Sequence, residues 1–197
     1  SNRAAIVLPN GPEMATAFLS ISSYMSAAPL NPSYKLKEYE FYLQDLMPKI
    51  VIVEKDSHNP AVEAAKNLGI EICEIKKIDN APAGIFNLYD KTSNFELATE
   101  NNEALVLHTS GTTSRPKVVP LTNKNIFSSA TNIANSLQLS SQDHCYNIMP
   151  LFHIHGLIAV LSSSINAGAS LYASSGFNAL KFLETADKES ITWYSGC

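Results

Sequence analysis

Two stretches of this 197-residue chain concentrate side chains able to do chemistry. The first, Leu107 to Val119 (LHTSGTTSRPKVV), sets four hydroxyl residues, Thr109, Ser110, Thr112 and Thr113, around one glycine, Gly111, and follows them with Ser114, Arg115, Pro116 and Lys117. Glycine lets the backbone turn where a side chain would clash and exposes N–H groups to a ligand. Successive N–H groups in such a turn make a concave anion site. The hydroxyls add donors, and Arg115 and Lys117 add positive charge. The ligand implied is a phosphate group, as carried by a nucleotide. The same residue types also make ordinary polar turns between strands, so composition alone leaves that alternative open.

The second stretch, Pro150 to Leu157 (PLFHIHGL), carries His153 and His155. Pro150 ends a strand, which puts His153 near the carboxyl edge of a sheet, where open α/β sheets bind ligands. A His-x-His pair also has the makings of a metal site. Its third ligand would have to be Asp143, His144 or Cys145, and no such spacing matches a zinc pattern. Packing histidines are the third possibility.

The first stretch is not a Walker loop. That motif needs G-x-x-x-x-G-K-[ST] leading into a helix. Gly111 and Lys117 have the right separation, but Pro116 stands where the second glycine belongs and Val118 where the magnesium-binding hydroxyl belongs. Val118 and Val119 favour a strand over a helix start. The expected local structure is strand, tight polar loop, strand.

The elements that must position these residues alternate along the chain. Ala4–Leu8, Ala27–Leu30, Ile50–Val53 and Ile70–Ile75 are apolar runs of strand length. Between them, Glu13–Met25, Leu36–Met47 and Pro60–Leu68 carry apolar residues at helical spacing, with Pro12 suited to a first turn and Gly69 to a C-cap. This alternation predicts a parallel sheet with helices on its faces. Residues 76–102, with Pro82 and Gly84, read as a linker. A second unit opens at Glu103. It holds the strands on either side of the polar loop, a helix capped by Thr122, a strand over Cys145–Met149, a helix from about His155 to Asn166, a strand over Ala169–Ala173, a helix over Asn178–Lys188 and a strand over Ile191–Tyr194. The expected fold class is therefore α/β, with two βαβ-type sheet units divided as residues 1–100 and 103–197.

Composition removes several function classes. Net charge is −4 with no basic block, which argues against nucleic acid as a partner. Charged residues make up only 16%, which fits a piece of a larger body. The three cysteines, Cys73, Cys145 and Cys197, are odd in number and widely spaced, as in a reducing compartment. No apolar run reaches membrane-spanning length. The chain opens without methionine and closes directly after an expected strand, so both ends are read as truncated.

The motif T-S-G-T-T-x-R-P-K resembles the phosphate-binding signature of the acyl-adenylate-forming enzymes, and V-L-P-N-G-P-E and A-P-L-N-P-S-Y look like the same family's N-terminal region. Ser114 and Val118 stand where the family usually has glycine. Serine at 114, E-F-Y-L-Q-D and the paired histidines are similar to the branch of oxalate–CoA ligases and fungal peroxisomal-coenzyme A synthetases. The resemblance implies a partial large N-terminal domain of an adenylate-forming enzyme. The activity implied is that of an acid–thiol ligase: a carboxylate and MgATP give an acyl-adenylate and pyrophosphate, then coenzyme A displaces AMP. It implies that Thr109–Thr113, Ser114 and Lys117 hold ATP, that magnesium binds through the phosphates, and that His153, with His155, meets a carboxylate substrate. Lys117 and His153 are the expected catalytic residues. A small dicarboxylate such as oxalate suits two histidines. The rivals are an aryl- or medium-chain acyl-CoA ligase and a non-catalytic nucleotide-binding module. An intracellular location, cytoplasm or peroxisome, is expected, and activity of these residues alone is not.

Overall fold

The computed structural model describes residues 2–88, 96–109 and 116–196. Seven strands form one sheet in the order β5-β4-β3-β1-β2-β6-β7, and three form a second in the order β10-β8-β9. The first sheet contains β1 (Arg3–Ile6), β2 (Ser26–Pro29), β3 (Ile50–Glu54), β4 (Glu71–Lys77), β5 (Phe86–Leu88), β6 (Glu103–Thr109) and β7 (Lys117–Thr122). The second contains β8 (His144–Asn147), β9 (Ser170–Ala173) and β10 (Trp193–Ser195).

Alternation along β1 explains the layering. Ala4, Ile6 and Leu8 face α1 (Pro12–Ser22), packing with Met14, Phe18 and Ile21. Ala5 and Val7 face the other way, onto α2 (Leu36–Leu46) and α3 (Pro60–Asn67), where Tyr39, Leu43, Leu46 and three alanines close the second cluster. Burial on both faces is what the unbroken apolar runs require. Each leucine so buried contributes about 1.5–3 kcal/mol. The capping expectations hold. Asn59 accepts from the Ala61 N–H at 2.9 Å to start α3, and Gly69 ends it at a positive φ of 66°. Thr122 caps α4 (Asn123–Ser136) through a reciprocal pair with Asn125.

The structure differs from the sequence reading in three places. The first sheet is mixed rather than parallel, because both outer strands, β5 and β7, run antiparallel to their neighbours. The region read as linker contributes β5, which pairs with the end of β4 at Ile75, Lys76 and Lys77. The change of sheet does not fall at Glu103: β6 lies parallel to β2 and brings β7 with it, so the sheets divide between β7 and β8. Arg3 explains part of that pairing. Its guanidinium makes two hydrogen bonds to Glu103, of 2.8 and 3.1 Å, joining the starts of β1 and β6, and this pairing raises its pKa.

The two sheets share no ladder. They are tied by Asn10, just past β1. Its amide donates to the Ser174 carbonyl at 2.8 Å and to the Met149 carbonyl at 3.4 Å, and its Oδ1 accepts the Leu151 N–H at 2.8 Å. Asp143 organises the opposite end of β8. It takes the Ser140 N–H and the Thr192 hydroxyl, and these hydrogen bonds, Ser140 first, hold its carboxyl below the usual carboxylate range.

Replacing Asn10 with alanine removes all three bonds, and the cost is expected to be about 2–4 kcal/mol. Asn10→Asp keeps the acceptor for Leu151 but sets a carboxylate oxygen against the Ser174 and Met149 carbonyls, and is expected to be at least as destabilising as alanine. Urea denaturation of the three proteins measures this. Equal midpoints would show that the sheets are held together without the clamp.

Candidate active site

Thr109 ends β6 and Lys117 begins β7, and the two are ladder partners across the mouth of the hairpin. Both are exposed. Lys117 takes no acidic partner among the described residues, unlike Lys55, Lys77, Lys124 and Lys188 and like the remaining described lysines. A cation and a hydroxyl residue at the loop end of a hairpin suit a polyanion that bridges the two strands. Ser110, Gly111, Thr112, Thr113 and Ser114 lie outside the described residues.

Beside this hairpin end lies a cleft of about 390 Å³. Leu107, Val119, Leu121 and Phe152 make its apolar surface, and His108, His153, Tyr34 and Tyr42 bring polar edges to it. His153 is exposed, as its place after Pro150 predicts. Its N–H donates to the Pro150 carbonyl at 3.2 Å, its own carbonyl accepts from Leu157 at 3.0 Å, and its ring sits 4.8 Å from that of Phe152. The geometry therefore brings Thr109 and His153 to the walls of one cleft. It does not bring His155 there: Nε2 of His155 and the Ser195 hydroxyl share a 2.7 Å hydrogen bond, directed at β10.

The helix expected from about His155 to Asn166 is present, but its first eight residues, His155–Ser162, are wound as a π-helix, followed by α5 (Ser163–Asn166). The wider turn shows at its end, where the Ser163 N–H reaches the Ile158 carbonyl five residues back. Buried hydroxyls help by occupying carbonyls along it: Ser162 donates to Leu157 at 2.7 Å, and Ser164 to Val160 at 2.6 Å. The helix also depends on Gly156. A Cβ there would press on the Pro150 carbonyl oxygen and lie 3.2 Å from that of Met149. Glycine thus lets the helix start against the strand end that carries His153. Single π segments inside α-helices recur at functional sites.

Sequence reasoning passed over three residues of the cleft. Tyr34 lines the cleft, stacked on Tyr42 with ring centroids 4.8 Å apart. Burial, and then its contact with Tyr42, raise its pKa well above the usual phenol value. His108 was in view as the residue before Thr109. The signal for it was the alternation of β6, which turns Leu107 to one face and His108 to the other. Asn31 makes a turn, accepting the Ser33 N–H at 2.9 Å on its side chain and the Tyr39 hydroxyl at 2.8 Å on its carbonyl.

The residues considered as a third metal ligand are otherwise engaged. His144 Nδ1 donates to the Glu189 carbonyl at 2.8 Å, Asp143 holds Ser140 and Thr192, and Cys145 is buried in β8. No group of three His, Cys, Asp or Glu side chains able to hold a metal occurs among the described residues. No described helix is long and apolar enough to cross a membrane.

The edge hairpin of a mixed α/β sheet thus sets Thr109, the ladder partner of Lys117, on a cleft that His108 and His153 also line. The AMP-binding enzyme family model matches residues 1–197, and the chain belongs to that family. It is 41% identical over 199 residues to an oxalate–CoA ligase of Arabidopsis thaliana, covering 97% of this chain and 39% of that protein. To the oxalate–CoA ligase of Saccharomyces cerevisiae it is 35% identical over 218 residues, covering 97% and 40%. The chain thus spans about two-fifths of the length of these relatives. Its fold matches that of o-succinylbenzoate CoA synthetase from Bacillus subtilis in complex with an acyl-adenylate intermediate, with a TM-score of 0.79, 25% identity, and 100% of this chain and 49% of that one covered.

Two outcomes test the local physics. Gly156→Ala is expected to destabilise the fold by about 1–3 kcal/mol, because the added methyl has backbone in its way; calorimetry measures it. Burial pushes the Cys145 thiol up to about 12, so at pH 8 almost none of it is thiolate. Iodoacetamide is expected to leave Cys145 unlabelled in the native protein and to reach it after denaturation, as read by peptide mass spectrometry.

Proposed function

We propose that the whole protein is an ATP-dependent carboxylate–CoA ligase and that its acid is a small dicarboxylate such as oxalate. The observation that carries the reading is the placement of Thr109 and Lys117 at one end of a cleft whose wall includes His153. In this reading Lys117 and the hydroxyls and N–H groups of 109–114 hold the β- and γ-phosphates of ATP. Magnesium, bound through those phosphates, supplies charge neutralisation. His153 orients the carboxylate for attack on the α-phosphate and holds it by hydrogen bonding or charge. The contribution of these residues is positioning and electrostatic stabilisation of charge as it develops. Coenzyme A is the co-substrate that displaces AMP. Relatives that are oxalate–CoA ligases support the substrate class. His155, turned to Ser195, leaves the second carboxylate to other groups. The location proposed is inside the cell, in cytoplasm or peroxisome.

A second reading rests on the lining. Leu107, Val119, Leu121, Phe152 and Ile154 give the cleft an apolar floor that suits an aryl or medium-chain acid. A non-catalytic nucleotide-binding module is the remaining alternative.

The test uses the complete reading frame that contains these residues. Pyrophosphate release is measured with ATP and oxalate, malonate, hexanoate or coumarate, with and without Lys117→Ala. Oxalate is expected to be preferred, and the substitution to lower the rate about 10²-fold, the scale for removing one charge-stabilising group. Preference for hexanoate or coumarate would overturn the dicarboxylate and keep the ligase. Release with none of the acids would overturn the ligase. The 197 residues alone are expected to release none.

A further inference from the structure

The hairpin that offers Thr109 and Lys117 outruns its inner neighbour at its tip. β6 is registered against β2 through one pair, Ala27 with Leu105. Its ladder with β7, in contrast, runs on to Thr109 and Lys117. β7 is the outer strand of the sheet, and half of its residues are exposed. By that register Val106 and Leu107 lie beside Ala28 and Pro29, the last residues of β2, and only His108 and Thr109 run past its end with the edge strand β7 beside them.

A side-chain brace ties that end to the body of the fold. His108 lies on the α2 face of β6, as Val106 does. Its Nε2 donates to Asp45 Oδ2 at 2.8 Å, near the end of α2. Its ring meets that of Tyr42, one helical turn earlier, at 4.6 Å and 66°, and Tyr42 is stacked on Tyr34. The His108 side chain is 7% exposed, although the next residue, Thr109, is exposed. Asp45 is 44% exposed, and ion pairs with such an exposed partner add little to stability. The pair's larger effect is geometric. It fixes His108, and with it the neighbouring Thr109 and, across the ladder, Lys117. Groups that act by positioning lose rate steeply with displacements of about 1 Å.

We propose that His108, held by Asp45 and Tyr42, is a positioning residue for the nucleotide: it sets the height of the hairpin end so that Thr109 and Lys117 meet the polyphosphate. This rests on the reading of that hairpin as the ATP site.

The experiment uses the complete protein and four variants: His108→Ala, His108→Gln, Asp45→Ala and the double alanine variant. KM for ATP, KM for the acid, MgATP affinity by calorimetry and thermal midpoint are measured for each. Both single alanine variants are expected to raise KM for ATP about tenfold and leave KM for the acid within about twofold. His108→Gln, whose amide nitrogen reaches Asp45, is expected to recover to within about threefold of the parent. The double variant is expected to be no worse than His108→Ala, as for two members of one unit. A lowered midpoint with KM for ATP unchanged would reduce the brace to a packing role and overturn the proposal, as would additive effects or a glutamine variant no better than alanine. Where an alanine variant fails to fold, His108→Gln against Asp45→Asn decides, since only the first keeps an acceptor charge for the brace; equal ATP affinities overturn it. If the parent turns over no acid, the ligase reading fails, and calorimetry still decides the brace: weaker MgATP binding in His108→Ala supports it, and equal or absent binding overturns it.

Discussion

One asparagine fixes how the two sides of the cleft face each other. Thr109 and Lys117 belong to the first sheet and His153 to the turn that leaves the second, and the two sheets share no hydrogen-bonded ladder. Asn10 bridges them with both ends of its amide, taking one N–H and giving two hydrogens to three backbone positions that are distant in sequence. An amide is the one short side chain able to donate and accept along a single rigid plane. A packed apolar seam fixes distance but allows sliding; directional bonds fix register as well. The π-wound helix completes the junction, its Leu157 and Leu161 packing into the α1 face of the first sheet while Gly156 admits the strand end carrying His153.

Most of the element order was legible because it rests on short-range causes. Four apolar runs, three amphipathic segments and caps at Gly69 and Thr122 are each determined by neighbours a few residues away, and the structure has them within three residues. β5 was not legible. Phe86–Leu88 has no apolar run of its own and becomes a strand only because the end of β4 offers it an open edge. The place of β6 was hidden for the same reason: its alternation says that it is buried, not that its neighbour is β2. The π winding is equally silent in the pattern, since Leu157, Ile158, Val160 and Leu161 satisfy helical spacing in either geometry.

The candidate site was legible where residue type alone narrows the chemistry, and obscure where orientation decides. Lys117 and Thr109 announce themselves by charge and hydroxyl in a marked loop, and the family match extends over the whole chain. His153 and His155 look equivalent in the sequence, yet a helix start between them sends one to the cleft and the other to Ser195. His108 hid behind a more conspicuous neighbour. Only the contacts with Asp45 and Tyr42, residues 63 and 66 positions earlier, separate it from an ordinary strand residue.

The order of the strands also sets a timetable for synthesis. β1 to β5 come from the first 88 residues, and their neighbours in the sheet are one another, apart from β2's contact with β6. They have their partners while the rest is still being made. Asn10 does not: the Ser174 carbonyl it needs lies 164 residues further on. At roughly 5–20 residues per second, that is a wait of about 8–33 s. Throughout that interval the amide must stay hydrated at the rim of a nascent sheet whose α1 face still lacks Leu157 and Leu161. Helix α1, made soon after β1, shields that face until the second sheet arrives.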